Sequence, residues 1–258
     1  MTTRIRYLGV AGYEIIGPAG RIVIDPFLTG SPVAPIGAGD LETPDVILVS
    51  HAAFDHLGDT LAIARRTGAP VVCGADTQAL LIEQGLPSEQ VRATIWGIRV
   101  RVGSVEVAPV ECHHWSMARL ASGETVTGVP LGFVVETEPQ VKIYHFGDSA
   151  IFSDMKLIGS LHRPTVGLIG CTQPWALVPP GAGKVTTGEM NPAEAALAAE
   201  MLGVRFAVAT HYLETNDPAV TEFVDLVASQ RDPPLVPIVL EPGHSLVIDG
   251  SQHRVEPS

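Results

Sequence analysis

Cysteine is scarce: Cys73, Cys112 and Cys171 are the only three in 258 residues, and they are widely spaced. A disulfide framework is thereby excluded, and a reducing, cytoplasmic location is the expectation. Basic residues are also few, 16 Lys and Arg against 28 Asp and Glu, for a net charge of −12. Such a chain does not take nucleic acid as its main partner, because neutralising phosphates needs a basic surface. No apolar run approaches the ~20 residues that span a bilayer, and the opening Met-Thr-Thr-Arg-Ile-Arg-Tyr holds no signal-peptide core. Linkers rich in Ser and Gly, charge blocks and low-complexity tracts are missing too. One domain over 1–258 is therefore expected, and a hydrophobic content of 46% is enough for a sizeable core.

The most informative segment is Ser-His-Ala-Ala-Phe-Asp-His-Leu-Gly at 50–58, directly after the apolar run Val46, Ile47, Leu48, Val49. His51, Asp55 and His56 have the residue types and spacing of a metal-ligand loop, with alanine at 53 where a third histidine would stand. Divalent ions such as Zn²⁺ take imidazole nitrogen and carboxylate oxygen. A loop at the end of a buried strand can aim several such groups at one point. Asp55 and His56 are adjacent, so only a turn brings both to one place; Phe54 and Leu57 are expected to pack that turn onto the core. The plainer reading is a strand-to-helix connection in which Asp55 caps a helix starting near Asp59.

Further donors follow at other strand ends. Glu111-Cys112-His113-His114-Trp115 closes the alternating strand at 104–110. Asp148 comes just after a strand at 141–144, and His211 ends the apolar run 206–209. Open α/β sheets place their chemistry at the carboxyl ends of strands. A lone histidine there is ordinarily structural, but four strand ends that all carry His or Asp form a pattern.

Periodicity and turn residues predict strands over 4–10, 13–16, 21–25 and 46–50, a Pro/Gly-rich loop over 29–43, and a helix over 59–66. A strand at 71–73, a helix at 76–83, and strands at 92–96 and 98–110 come next. Strands at 132–136 and 141–145, a helix at 151–161 and a strand at 166–169 complete the middle. After a loop over 173–188, Asn191 is placed as N-cap, Pro192 as N1 and Glu194 as N3 of a helix running to 202. A strand at 205–209, a helix at 219–229 and strands at 236–240 and 245–248 close the chain. Two strand-rich halves with interleaved helices fit two sheets sandwiched between helices.

These residues resemble the metallo-β-lactamase superfamily, and within it the small bacterial metal-dependent hydrolases related to ascorbate-6-phosphate lactonase. The likeness covers nearly the whole chain: Val23-Ile24-Asp25-Pro26-Phe27, the 50–59 loop, Tyr144-His145-Phe146-Gly147-Asp148, the 152–159 stretch Phe-Ser-Asp-Met-Lys-Leu-Ile-Gly, 192–198, and His211-Tyr212. His114-Trp115-Ser116 is also similar to a segment of the N-acyl-phosphatidylethanolamine phospholipase D branch. The resemblance implies an α+β, four-layer αββα sandwich with metal along one sheet edge. It implies one metal position from His51, residue 53 and His114, a second from Asp55, His56 and His211, and Asp148 between them. It leaves His113 beside the site to orient substrate or replace a ligand. Two departures stand out: Ala53 removes a ligand, and Gly170-Cys171-Thr172-Gln173 stand where the related hydrolases carry Gly-Asp. The 173–188 loop, with Trp175 and Lys184, reads as an insertion near the site.

The leading expectation is a hydrolase of a small ester, lactone, phosphodiester or amide, using one or two divalent ions, Zn foremost and Mn or Fe as alternatives. Such an ion lowers the pKa of a bound water from ~15.7 toward ~7. Asp55, Asp148 and His113 are the candidate catalytic groups, and Asp25 is placed as a partner that fixes a ligand histidine. His244 is read as structural. Two rivals share the fold: a single-metal isomerase, lyase or oxidoreductase, and a non-catalytic metal- or ligand-binding protein. The partner expected is a small molecule, with a homo-oligomer compatible. Trp115, Met117 and Trp175 fit either a partly apolar pocket or a packed core.

Overall fold

The computed structural model describes residues 2–177, 189–230 and 235–257. Two sheets form its interior. One has eight strands, in the spatial order Gln252–Glu256, Ser245–Asp249, Thr2–Gly9, Gly12–Gly17, Gly20–Ile24, Val46–Leu48, Val71–Cys73 and Val91–Ala93. The other has seven, in the order Val236–Ile238, Phe206–Thr210, Val166–Gly170, Val141–His145, Gly132–Glu138, Val105–Val110 and Val100–Val102. Each sheet contains a parallel run, from Gly20–Ile24 to Val91–Ala93 in one and from Val141–His145 to Val236–Ile238 in the other.

Period-two side-chain alternation produces the layers. Ile22, Ile24, Val46 and Leu48 face a core shared with Phe133, Val135 and Leu168 of the second sheet. Their neighbours Val23, Ile47 and Val49 face the other way, onto Ile63, Ala64 and Leu81. The helices are α1 (Phe54–Leu57), α2 (Thr60–Thr67), α3 (Ala75–Glu83), α4 (Met155–His162), α5 (Pro192–Leu202) and α6 (Pro218–Ser229). Helices α2 and α3 cover the outer face of the eight-stranded sheet. Met155 of α4, Ala195 and Ala199 of α5 and Phe223 of α6 join the core on the side of the seven-stranded sheet. The result is the expected αββα sandwich. Full burial of each Val, Leu or Ile contributes about 1.5–3 kcal/mol, so the two cores outweigh any single polar contact.

Several expectations need correction. The strand expected over 98–110 is a hairpin, Val100–Val102 and Val105–Val110, because Gly103 turns the chain at φ 56°. The helix expected from 151 starts at Met155. Phe152 instead stacks on His113 with ring centroids 4.3 Å apart, a tertiary contact that overrides local propensity. The hairpin Ser116–Arg119 with Thr125–Gly128 was not foreseen. Nor was the edge strand Gln252–Glu256, whose charged, exposed residues carry no alternation signal yet protect a sheet edge. The helix from Asn191 has the predicted cap: Asn191 Oδ1 accepts from Glu194 N and Glu194 Oε2 accepts from Asn191 N, both at 3.0 Å. Of the 173–188 loop, residues 178–188, Lys184 among them, lie outside the described residues. Among the described residues no helix is long and apolar enough to cross a membrane.

Strand direction positions the site. In each parallel run the strands share one carboxyl end, and Asp25, His51, Asp148 and His211 follow those ends. Val105–Val110 is antiparallel to Gly132–Glu138, itself antiparallel to Val141–His145, so His114 emerges on the same edge.

Candidate metal centre

The donors named from the sequence converge in two groups. Asp55, His56, Asp148 and His211 offer ligand atoms within 4.8 Å of one another, as do His51, His114 and Asp148. Asp148 belongs to both.

Local geometry explains the convergence. Helix α1 is a single turn, with Ala53 extended at its N-cap position (φ −63°, ψ 149°). Its carbonyl accepts from His56 N at 3.1 Å and Leu57 N at 2.8 Å. One helical turn offsets neighbouring side chains by about 100°, so Asp55 and His56 can both face inward. The capping alternative for Asp55 fails: Asp55 lies within α1, and Asp59 occupies the N-cap position of α2. Asp59 uses Oδ2 elsewhere, accepting from Leu28 N at 2.8 Å and Thr29 N at 2.7 Å. Leu57 packs against the core as expected. Phe54 does not: it is 52% exposed and meets Phe27 edge-on at 5.6 Å. Gly58 ends the turn at φ 41°, where a Cβ would collide with the Pro26 carbonyl.

Backbone strain gathers at this edge. Val10, Asp25, Asp148 and His211 have φ of 53°, 46°, 64° and 68°, and each non-glycine residue there costs ~1–3 kcal/mol unless its surroundings hold it. The hold is visible for His211, whose N–H donates to the Val10 carbonyl at 2.8 Å. Gly147 supplies the turn before Asp148 at φ 60°, where a Cβ would strike the Leu131 carbonyl.

Asp25 anchors the eight-stranded side. It is fully buried and accepts from Ser50 N at 2.8 Å and Ser50 Oγ at 2.6 Å, with His56 Nδ1 at 2.8 Å. Asp25 thus stands directly behind the His56 ring. Ser50 Oγ also lies 3.0 Å from His51 Nδ1 and 3.1 Å from His56 Nδ1, so one hydroxyl connects both imidazoles. A second support was not read from the sequence: Ser116 Oγ donates to Asp76 and accepts from Ala52 N at 3.1 Å, tying the His114 segment to the 51–56 loop.

On the far side of each ring the atoms face one another. His56 Nε2 lies 2.8 Å from Asp148 Oδ2; His211 Nε2 lies 3.5 Å and His51 Nε2 3.9 Å from the same oxygen. Asp55 Oδ2 lies 3.7 Å from His211 Nε2 and 4.0 Å from His56 Nε2. The Nε2 atoms of His51, His56 and His211 and Oδ1 of Asp148 are buried without a well-formed hydrogen bond. Buried polar atoms are normally satisfied. Several unsatisfied lone-pair atoms aimed at one point, imidazole and carboxylate together, are the chemistry of a divalent-cation site.

The electrostatics set the protonation states of these groups in the cation-free protein. Burial would lower His56 and His211, but Asp148, with Asp25 for His56 and Glu189 for His211, holds both rings well above the ordinary histidine range. Burial would raise Asp148, and His211 and His56 outweigh it, so its carboxyl stays ionised well below the usual range. His51 is pushed down to about 3, by burial first and then by the charge on His56, and stands neutral as a ligand must.

His113 belongs to neither group. Its Nε2 lies 2.8 Å from Glu111 Oε1, its ring stacks on Phe152, and its side chain is 46% exposed, on the rim. Glu189, unremarked in the sequence because it ends no strand, brings Oε2 to 2.7 Å from His211 Nδ1. Trp115, Met117 and Trp175 are all exposed, so the packed-core reading fails for them. Trp175 lines a cleft of about 530 Å³ with Thr172, Gln173 and Glu189. His244 lies away from the donor groups, its backbone accepting from Tyr7 N at 3.0 Å.

Comparison with known proteins matches residues 20–212 to the Beta-lactamase superfamily domain. A UPF0173 metal-dependent hydrolase of Rubrobacter xylanophilus is 41% identical over 212 residues, 81% of each chain. One from Thermococcus onnurineus is 38% identical over 246 residues, 94% of this chain and 98% of that one. Igni18, a metallo hydrolase from Ignicoccus hospitalis, superposes with a TM-score of 0.75 at 24% identity, covering 96% of this chain and 99% of its own. At that identity the last likeness speaks for the fold alone. Fold, strand-edge donors and sequence kinship agree: the chain belongs to the Beta-lactamase superfamily, in its UPF0173 group.

Proposed function

We propose that this chain is a metal-dependent hydrolase holding a divalent cation between Asp55, His56, Asp148 and His211, and a second, more weakly, between His51, His114 and Asp148. The observation that carries the reading is the set of buried, unsatisfied ligand atoms around the Asp148 carboxylate. The metal-dependent relatives support it. Zinc suits the mixed imidazole and carboxylate set, with Mn and Fe as alternatives. Bound cations supply Lewis acidity, making water nucleophilic near neutral pH and polarising the bond it attacks. The substrate class is a small ester, lactone, phosphodiester or amide, and the three free, buried cysteines fit a cytoplasmic setting.

Within that frame the residues divide the work. Asp148 orients both cation positions through one carboxylate. Asp55, 13% exposed against 5% for Asp148, is the carboxylate nearer solvent and accepts the proton of the attacking water at Oδ2. His113, held on the rim by Glu111 and Phe152, orients substrate and does not share the proton.

A second reading rests on one observation: among the described residues the three-donor group has no fourth protein ligand, and residue 53 is alanine. There the chain works with a single cation, and non-hydrolytic chemistry on the same fold becomes the rival. Both are tested by stripping the protein with a chelator and assaying a panel of lactones, phosphodiesters, esters and amides with Zn²⁺, Mn²⁺ or Fe²⁺ restored. Turnover that needs the cation and falls at least ~100-fold in Asp148→Asn supports the hydrolase. No turnover on any panel member, with cation bound, favours the rival.

A further inference from the structure

Resting on the cation-binding reading above, we propose that Glu189 is a positioning residue for His211: its carboxylate fixes the ring proton on Nδ1 and so aims Nε2 at the four-donor group. Oε2 of Glu189 lies 2.7 Å from Nδ1, a close ion-pair contact short of a well-formed hydrogen bond, while Nε2 across the ring lies 3.5 Å from Asp148 and 3.7 Å from Asp55. The Thr172 carbonyl also faces Nδ1, at 3.3 Å. A carbonyl and a carboxylate only accept, so Nδ1 keeps its hydrogen and Nε2 is the nitrogen that gives up a proton to receive a cation.

The other ligand histidines sharpen the argument. His56 Nδ1 is backed by a carboxylate too, Asp25 Oδ2 at 2.8 Å. Among the described residues His51 Nδ1 is backed by Ser50 Oγ at 3.0 Å, and that hydroxyl spends its own hydrogen on Asp25. Both imidazoles of the four-donor group therefore have a carboxylate behind them, whereas His51 has a neutral hydroxyl. A carboxylate behind a ligand imidazole orients the ring and raises its basicity. Glu189 thus acts foremost on the position that His211 serves, its reach to His114 being the lesser one. Its side chain is only 10% exposed, Met190 beside it is buried, and the capping box at Asn191 and Glu194 fixes the helix start two residues on.

The test compares Glu189→Leu and Glu189→Gln with the full wild-type chain in two measurements. Cobalt(II) titration against a chromogenic chelator reads the affinities of the two positions. Long-range proton–nitrogen NMR of the histidine rings, in cation-free protein, reads the Nδ1 hydrogen of His211, with His56 as internal control. Glu189→Leu should weaken one cobalt ion ~10–100-fold and the other clearly less. It should also shift or abolish the His211 Nδ1 proton signal while His56 stays put. Glu189→Gln, which keeps an acceptor, should retain that signal and lose less affinity. Unchanged affinity and an unchanged His211 signal in Glu189→Leu would overturn the proposal. So would equal weakening of both ions with the His56 signals displaced, since that reports general loosening. If the wild-type chain takes up no cation, the hydrolase reading fails and the NMR measurement alone decides the role of Glu189.

Discussion

On the proposed reading both cation positions depend on Asp148, which belongs to both donor groups. His51→Ala should remove the weaker cation and spare the tighter; His211→Ala should do the reverse, and Asp148→Asn should impair both. Calorimetric titration of the three variants with Zn²⁺ checks this, and identical losses in His51→Ala and His211→Ala would argue against separate positions. Ser50 makes a different prediction. Its buried hydroxyl donates to Asp25 and touches both His51 Nδ1 and His56 Nδ1. Ser50→Ala strands those groups, so denaturant unfolding of the cation-free protein should show a loss of about 1–3 kcal/mol. Single side chains of this kind were largely legible in the sequence. His51, Asp55, His56, His114, Asp148 and His211 announce themselves by type and by their place at strand ends. Glu189, Ser50 and Asp76 do not, because a supporting residue acts through a three-dimensional neighbour with no fixed sequence offset.

Among elements, the short helix α1 and the capped helix α5 position the centre. Asn191→Ala removes the cap of α5 and should cost about 1 kcal/mol in denaturant unfolding. Because Glu189 lies two residues before that cap, the same substitution should also weaken the tighter cation, which a cap with only local effect would not do. The cap and most strands were readable from periodicity and turn chemistry. The hairpin at 116–128 and the edge strand at 252–256 were not: in the first, burial alternates but runs against polarity, with Ser116 buried and Met117 exposed, and the second is exposed almost throughout. The start of α4 was missed for another reason: Phe152 leaves the helical path to stack on His113, a partner distant in sequence.

For the molecule as a whole, the charges at the sheet edge predict how cation, proton and stability are linked. His56 and His211 are held protonated above their ordinary range in the cation-free protein, and a cation needs both neutral. Cation uptake near neutral pH should therefore release protons, read by calorimetry in buffers of different ionisation enthalpy, and affinity should fall as pH falls. Both raised values also mean stability that is fully present below the unfolded pKa of ~6.5 and lost as pH rises through the folded values. His51 runs the other way: with a folded pKa of about 3, it destabilises the fold as pH drops below ~6.5. The melting-temperature gain on adding Zn²⁺ should accordingly grow with pH above neutrality. A gain that shrinks over that range would mean the two imidazoles are not the groups giving up protons.

The most direct test of the account is elemental analysis of metal per chain, on this sequence and on Ala53→His side by side after exhaustive dialysis. We predict about one tightly held ion in the chain as it stands, with a second taken up only from excess. In Ala53→His both should survive dialysis, because the three-donor group gains the imidazole it lacks. A chain that retains no ion, or that already holds two with Ala53→His unchanged, would contradict the account.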